Sequence, residues 1–268
     1  PRLVKMDIEG SEFAVLKLQG RADVLELSRH AETGPRLMKM DIEGSEFAVL
    51  RHSLQKQLLC KGTVDLLTIE WHLRLFEKLP KEYNDANDAM QQVLHREPTP
   101  ACTPTVFETL DDESYLHDGK PMPEVSEQAK EMFMPRSGNP TISADMFKGC
   151  RAIFYDVGSN LGTHVRKLFE PTKYPGSDML KVFDSIFGAG EYRSKPSTET
   201  GLCAFGFEAN PHHAPVLANL EATYNAAGWR VKFFAPAVVS QKAGQTVQFY
   251  LNGQKEWEYW GASIFNVH

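Results

Sequence analysis

The stretch that most constrains the fold is AIFYDVGSNLGT, which spans residues 152–163. Its first four residues are mostly apolar and read as a short buried strand. Asp156 closes this strand, Gly158 and Gly162 frame a tight turn, and the HVRKLFE that follows has helical spacing. A strand, a glycine turn and a helix form a crevice at the carboxyl end of a sheet, where open α/β folds bind ligands. The sequence therefore predicts an α/β protein with a ligand site at this turn.

The spacing of the glycines excludes two common nucleotide motifs. A dinucleotide fingerprint has glycines at its first, third and sixth positions, whereas Ser159, Asn160 and Leu161 separate the two glycines here. The loop also lacks the lysine and Ser/Thr of a phosphate-binding P-loop, which argues against a nucleotide triphosphate. Taken alone, the turn is equally compatible with an ordinary strand-to-helix connection.

A second motif, LCAFGFEANP at residues 202–211, favours a ligand site. It is another apolar run that ends in an acidic residue, Glu208. A carboxylate at the tip of a neighbouring strand can accept hydrogen bonds from both hydroxyls of a ribose, each worth about 1.5–3 kcal/mol. Beside the glycine turn, we interpret Glu208 as a ribose-binding residue rather than as a solvated charge at a strand end.

Bulk properties narrow the class of protein. The length of 268 residues permits one large α/β domain or two small ones. A net charge of −6 argues against a nucleic-acid partner, and no apolar run approaches a membrane span. The four cysteines show no C-x-x-C spacing, so reduced, packed thiols are expected rather than a zinc site. The first residue is Pro1, which suggests a fragment or processed product; the compartment is left open, with the cytoplasm as the default.

The chain also contains an internal duplication. PRLVKMDIEGSEFAVL opens the chain, and PRLMKMDIEGSEFAVL begins at Pro35. A single near-identical pair does not fit a solenoid array, whose repeats diverge and need several copies. The second copy is followed by another strand-like run, VDLLTIEWH at residues 64–72. We therefore predict that residues 37–41 enter the sheet and that residues 1–34 form a loosely attached appendage.

Three other segments are predicted to be an edge strand, a linker and a long insertion. TVFETL is predicted to be an edge strand, and the polar residues 118–124 are interpreted as a linker. A long insertion at residues 171–201 contains a short helix, DMLKVFDSIFG. An insertion of this length beside a crevice is interpreted either as a lid or substrate wall, or as a surface excursion.

Taken together, DVGSNLG, FGFEANP, APAVVS and GASIF, with MDIEGSE and TIEWH, resemble the FkbM-type family of S-adenosylmethionine-dependent methyltransferases. The resemblance implies a Rossmann-like methyltransferase sheet with helices on both faces. The motif order departs from the family, because the half that should come second comes first; the fold is therefore expected to be permuted or fragmentary. We predict that residues 1–34 form a duplicated appendage and that residues 35–118 correspond to the C-terminal half of the family's methyltransferase domain. Residues 119–147 are predicted to be a linker and a lead-in helix, and residues 148–268 the cofactor-binding half of the same domain. The family helix before the D-I-E-G strand has no evident counterpart.

The resemblance also implies roles for individual residues. Those expected around the methionine part of S-adenosylmethionine are Asp156, Gly158, Asn160 and Gly162. Glu208 would bind the ribose, and Asn210 and Ala235 would lie near the adenosine. Asp41 and Glu43 would face the path of the methyl group, where they would orient an acceptor hydroxyl, help hold a divalent cation, or only cap the next helix. His72 is the candidate base, with a purely structural role as its alternative.

The leading hypothesis is an O-methyltransferase that uses S-adenosylmethionine and methylates a hydroxyl on a small molecule, a sugar or a lipid-linked acceptor. No metal site is assigned, since the sequence alone does not support a divalent cation. Two alternatives remain open at this point. The first is a non-catalytic, permuted relic, and the second is a nicotinamide-binding enzyme, which the glycine spacing disfavours.

Overall fold

Six parallel strands form the sheet around which the described part of the chain is built. The computed structural model describes residues 2–5, 34–77, 80–112, 114, 118–134, 143–236 and 248–251. The strands are β1 (Arg2–Lys5), β2 (Arg36–Met40), β3 (Leu66–Ile69), β4 (Val106–Thr109), β5 (Ala152–Val157), β6 (Leu202–Phe207), β7 (Arg230–Phe234) and β8 (Gln248–Leu251). The large sheet has the order β4-β3-β2-β5-β6-β7, and β1 and β8 form a separate antiparallel pair.

Helices flank this sheet within the described residues. The α-helices are α1 (Glu46–Gln55), α2 (Pro80–Leu94), α3 (Glu127–Phe133), α4 (Thr163–Phe169), α5 (Met179–Phe187), α6 (Gly190–Arg193), α7 (Ser197–Thr200) and α8 (Ala214–Ala226). Short 3₁₀ turns lie at Leu73–Phe76, Ala144–Phe147, Pro171–Lys173 and Pro211–His213. None of the helices described is long and apolar enough to cross a membrane. The predicted α/β, Rossmann-like class is confirmed.

The direction of strand addition reverses between β2 and β5. From β5 the chain adds β6 and β7 on one side, whereas from β2 it adds β3 and β4 on the other. Because parallel connections are right-handed, the helices of the two series cover opposite faces. Val49 and Leu50 of α1 belong to one apolar cluster, whereas Val165 of α4 and Leu217 of α8 belong to the other. The carboxyl ends of the paired strands β2 and β5 thus form the switch point, which is where such sheets bind ligands.

The second copy of the duplicated segment enters the large sheet, as predicted. Its strand β2 pairs with both β3 and β5. The strand of the first copy, β1, instead pairs antiparallel with β8. The predicted edge strand is also confirmed, since β4 closes one side of the sheet. Two almost identical sequences therefore form strands in different sheets, which shows that tertiary pairing and not local propensity decides their place.

The insertion at residues 171–201 contributes its helix α5 to the core, so the interpretation as a mere surface excursion is wrong for this helix. Met179 and Phe183 of α5 are fully buried. The Phe183 ring meets the Phe154 ring of β5 edge-to-face, with centroids 5.0 Å apart. Both belong to one apolar cluster with Leu37. The apolar face of α5 therefore packs on β5, in the same apolar cluster as Leu37 of β2.

The predicted linker is held against the cofactor-binding half. Asp118 accepts hydrogen bonds from Arg166 Nη1 at 3.0 Å and from Tyr174 Oη at 2.5 Å. Arg166 Nη2 also donates to the carbonyl of Lys120 at 2.7 Å. Because Asp118 and Arg166 are both largely buried, their pairing fixes this polar segment on α4.

The expectation of reduced thiols is wrong. Cys60 is bonded to Cys102, and Cys150 is bonded to Cys203. The partners are 42 and 53 residues apart, so sequence spacing gave no sign of the pairing. The fold brings them together, since Cys203 lies in β6, next to the strand that Cys150 precedes. Disulfides of this kind persist in oxidising environments.

We predict that the purified, unreduced chain has no titratable thiol after denaturation. Reduction should lower its free energy of unfolding by about 2–4 kcal/mol per bridge, because each bridge constrains the unfolded chain. Thiol titration and urea unfolding with and without reductant measure both effects. Four reactive thiols in the unreduced protein would contradict the pairing.

We also predict that Gly158→Ala opens the contact between β2 and β5. Asp41 N–H donates to the Val157 carbonyl at 3.0 Å, and a Cβ on Gly158 would lie 1.7 Å from the Asp41 carbonyl oxygen. Gly158 also has φ +81°, which costs a non-glycine residue about 1–3 kcal/mol. Urea unfolding should show a loss of at least that size. Gly176→Ala is the control, because its Cβ meets nothing within 4 Å, and an equal loss in both variants would refute the contact.

Candidate functional site

The glycine turn after β5 is fastened to the end of β6. The N–H groups of Gly158 and Ser159 both donate to the Phe207 carbonyl, at 3.0 Å each. Asn160 and Gly162 follow with φ +50° and +77°, in the left-handed region that favours glycine. A Cβ on Gly162 would lie 2.5 Å from Leu220 Cδ2 of α8, so glycine is needed for this close packing.

Glu208 follows β6 and faces this turn. Its Oε2 accepts the Asn160 N–H at 2.6 Å, and its Oε1 accepts the Asn210 N–H at 2.7 Å. An ionised carboxylate has about four acceptor positions, so about two remain for a ligand. Burial raises the pKa of Glu208 to about 7, although the two N–H groups oppose the shift. The side chain therefore offers a fixed acceptor for two hydroxyl groups.

Asp156 lies near the end of β5 and is completely buried. Within the described residues, neither of its carboxylate oxygens accepts a hydrogen bond. Lys39 Nζ lies 4.0 Å from Oδ1. Burial raises the pKa of Asp156 to about 6, and the charge of Lys39 opposes this. Two buried acceptor oxygens without donors suit a cationic or strongly donating ligand group.

Lys39 was not singled out from the sequence, yet it joins the two parts of the site. Its Nζ donates to Asp41 Oδ2 at 3.2 Å and to the Gly158 carbonyl at 3.1 Å. Burial lowers the pKa of Lys39, but Asp41 and Asp156 outweigh that effect and raise it. Its only sign in the sequence is a basic residue inside the apolar strand RLMKM.

The structure brings the three predicted catalytic residues together at the carboxyl ends of β2 and β3. His72 Nε2 lies 3.8 Å from Asp41 Oδ1 and 3.7 Å from Glu43 Oε2. Glu43 and Gly44 have φ +50° and +93°, which forms the sharp exit from β2. The side chains of Asp41 and Glu43 are 16% and 24% exposed, so a ligand can reach them. Their catalytic roles remain predictions.

Two further acidic residues surround His72 and were missed. Glu70 Oε1 lies 3.3 Å from Nε2, and the completely buried Glu46, in the first turn of α1, pairs with Nδ1. Burial lowers the pKa of His72, but its hydrogen bonds to Glu46 and Glu70 outweigh this and raise the pKa to about 11. In this state His72 keeps its proton at neutral pH, which disfavours its predicted role as a base. Both acids lie inside the quoted motifs MDIEGSE and TIEWH, where the carboxylates themselves were the available signal.

The remaining predicted residues lie at the same edge of the sheet. Asn210 is buried beyond β6, and its side-chain oxygen accepts the His212 N–H at 3.0 Å. Ala235 directly follows β7 and is half-buried. The structure therefore places every predicted cofactor residue on β5, β6 or β7, or in the turns after them, while their binding roles stay predictions.

Comparison with known proteins agrees with this architecture. Residues 21–97 match the family described as the methyltransferase FkbM domain. No curated protein and no solved structure matches the chain significantly. The matched residues include β2, α1, β3 and α2, and hence Asp41, Glu43 and His72. The match begins inside the segment 1–34, so residues 21–34 resemble the family too. Residues 21–97 are therefore similar to an FkbM methyltransferase domain, and the six-stranded parallel sheet is consistent with the fold of that family.

Proposed function

We propose that the protein is a methyltransferase that uses S-adenosylmethionine and methylates a hydroxyl oxygen. The observation that carries the proposal is the arrangement of carboxylates around the switch point of the sheet. Glu208 and Asp156 present buried acceptor oxygens on one side of it, and the exposed edges of Asp41 and Glu43 lie on the other. Lys39 connects the two sides through hydrogen bonds to Gly158 and Asp41.

The residues on the β5 and β6 side fit the polar groups of S-adenosylmethionine. Glu208 has acceptor positions for the two ribose hydroxyls, because the backbone N–H groups occupy only part of its carboxylate. The unbonded oxygens of Asp156 fit the ammonium end of the methionine part, with Gly158 allowing close approach. When bound, this cofactor supplies an electrophilic methyl group on a sulfonium.

The β2 and β3 side fits an acceptor hydroxyl. Asp41 is next to Lys39, which bonds to the glycine turn, so an acceptor held by Asp41 lies beside the cofactor crevice. In the proposed transfer the acceptor oxygen would bond to the methyl carbon as the carbon–sulfur bond broke, and S-adenosylhomocysteine would be the leaving product. Asp41 or Glu43 takes the hydroxyl proton. Burial raises the pKa of Glu43, with His72 opposing, which makes its carboxylate a better proton acceptor than a solvated one.

The pairing of β2 with β5 bears on the two alternative functions, a non-catalytic permuted relic and a nicotinamide-binding enzyme. Strands from residues 35–118 and from residues 148–268 pair directly as β2 and β5, so both halves contribute to one crevice. A circular permutation of the family order explains this, because strands pair by their place in space rather than in the chain. A relic without a pocket would not require the fixed carboxylates of Asp156 and Glu208. No observation on the described residues favours the nicotinamide alternative.

We predict that the affinity for S-adenosylhomocysteine falls with acidity through Glu208. The ionised carboxylate accepts the ribose hydroxyls, so protons compete with the cofactor below the pKa of about 7. Calorimetric titration should show the affinity weakening from about pH 8 to about pH 6.5. Glu208→Gln should bind about 10–100-fold more weakly at the upper pH, which corresponds to about 1.5–3 kcal/mol, and should lose most of the pH dependence.

Glu191→Gln is the control, because it removes an exposed carboxylate on α6. It should bind like the unaltered chain at both pH values. Unchanged affinity in Glu208→Gln would remove Glu208 from the ribose site, and absence of saturable binding by the folded chain would reject the proposed cofactor.

A further inference from the structure

Four carboxylates surround a single imidazole beside the proposed acceptor position. Oxygens of Asp41, Glu43 and Glu70 face His72 Nε2 at 3.8, 3.7 and 3.3 Å, and Glu46 pairs with its other nitrogen. Ligand atoms of Asp41, Glu43 and His72 lie within 4.8 Å of one another. A cluster of this charge carries a large repulsion that a bound cation would relieve.

The separations suit ligands of a shared ion. Oxygen and nitrogen donors lie about 2.0–2.6 Å from divalent cations, so neighbouring donors around one ion are about 3.0–3.5 Å apart. The distances from Nε2 to Glu70 and Glu43, 3.3 and 3.7 Å, are close to this range. The 3.7 and 3.8 Å separations exceed ordinary hydrogen-bond lengths but lie within ion-pair range, so these carboxylates face Nε2 without hydrogen bonding to it.

The orientation of the imidazole is set by the fourth carboxylate, Glu46, which lies on the opposite side of the ring from the other three. His72 is 2% exposed, and its Nδ1 is held by Glu46 on a different element, α1. Metal-binding histidines commonly donate their second ring N–H to a carboxylate in this way, which turns the other nitrogen to the metal. Glu46 is completely buried, and within the described residues its Oε2 has no hydrogen-bond partner. Burying a carboxylate beside the ring in this way costs free energy, which indicates that the orientation of the ring has a function.

We propose that Asp41, Glu43, Glu70 and His72 bind a divalent cation and that Glu46 positions His72 as a ligand. The donor set of three carboxylates and one imidazole suits Mn²⁺ or Mg²⁺ better than a thiolate-preferring metal. When the cation binds, the Nε2 proton leaves to solvent, so that Nε2 can bind the ion while Nδ1–H donates to Glu46.

The cation also defines an acceptor class, and this part rests on the proposed function. An ion held at Asp41 has open positions toward the crevice, because the side chains of Asp41 and Glu43 are partly exposed. An acceptor with two neighbouring oxygens, such as a vicinal diol, would chelate it. The ion would lower the pKa of the bound hydroxyl, whose proton then passes to a carboxylate or to water.

The test is titration of the metal-stripped full chain with Mn²⁺, followed by the EPR signal of the free ion. One saturable site is expected. Glu46→Gln should weaken binding about 10–100-fold, and Glu43→Gln at least as much. Asp88→Asn, an exposed carboxylate on α2, is the matched control and should bind like the unaltered chain. Circular dichroism shows whether each variant is folded, and Glu46→Gln provides the test if Glu43→Gln is not.

A parallel titration with S-adenosylhomocysteine separates this inference from the proposed function. Cofactor binding without saturable Mn²⁺ binding would overturn the cation site and leave the function standing. Equal Mn²⁺ affinity in Glu43→Gln and Asp88→Asn would also overturn it, because binding would then reflect only the net charge. Mn²⁺ binding that these ligand variants weaken supports the site even when the cofactor does not bind.

Discussion

The site depends on how closely β2 and β5 approach each other at their carboxyl ends. The Asp41 N–H bonds to the Val157 carbonyl, and Gly158 leaves no room for a side chain against the Asp41 carbonyl. Lys39 then bonds to Gly158 and Asp41 across the same contact. Because these strands come from distant parts of the chain, their pairing alone brings the glycine turn next to the acidic cluster. Separation of the two strands would leave two incomplete half-sites.

Buried charge is the main energetic cost of this arrangement. Burial raises the pKa values of Asp156 and Glu208 to about 6 and about 7, so their ionised forms are disfavoured in the folded chain. His72 is held among four carboxylates on the other side. Groups so placed are stabilised when a ligand supplies donors or positive charge, and ligand binding then adds to folding stability. The site is therefore built for polar ligands rather than for packing.

The local motifs were predictable because they have short-range causes. An apolar run, an acidic residue and glycines with positive φ specify the turn after β5, and the same logic placed Glu208. Contacts between residues that meet only after particular strands pair were not predictable. Lys39 reads as an interruption of an apolar strand until β5 lies beside it, and Cys150 meets Cys203 only after β5 and β6 pair. The duplicated segments differ by one substitution, and only the strand-like run that follows the second copy indicated that this copy enters the large sheet.

The most direct test of the assembled site is hydrogen exchange on the full chain with and without S-adenosylhomocysteine. Backbone amides become protected where a bound ligand suppresses local opening. We expect saturable protection both in the glycine turn, residues 158–162, and at residues 208–210, together with slower exchange at residues 41–44 across the β2–β5 contact. Protection confined to one half of the chain, or none at a saturating concentration, would contradict a cofactor site built from both halves.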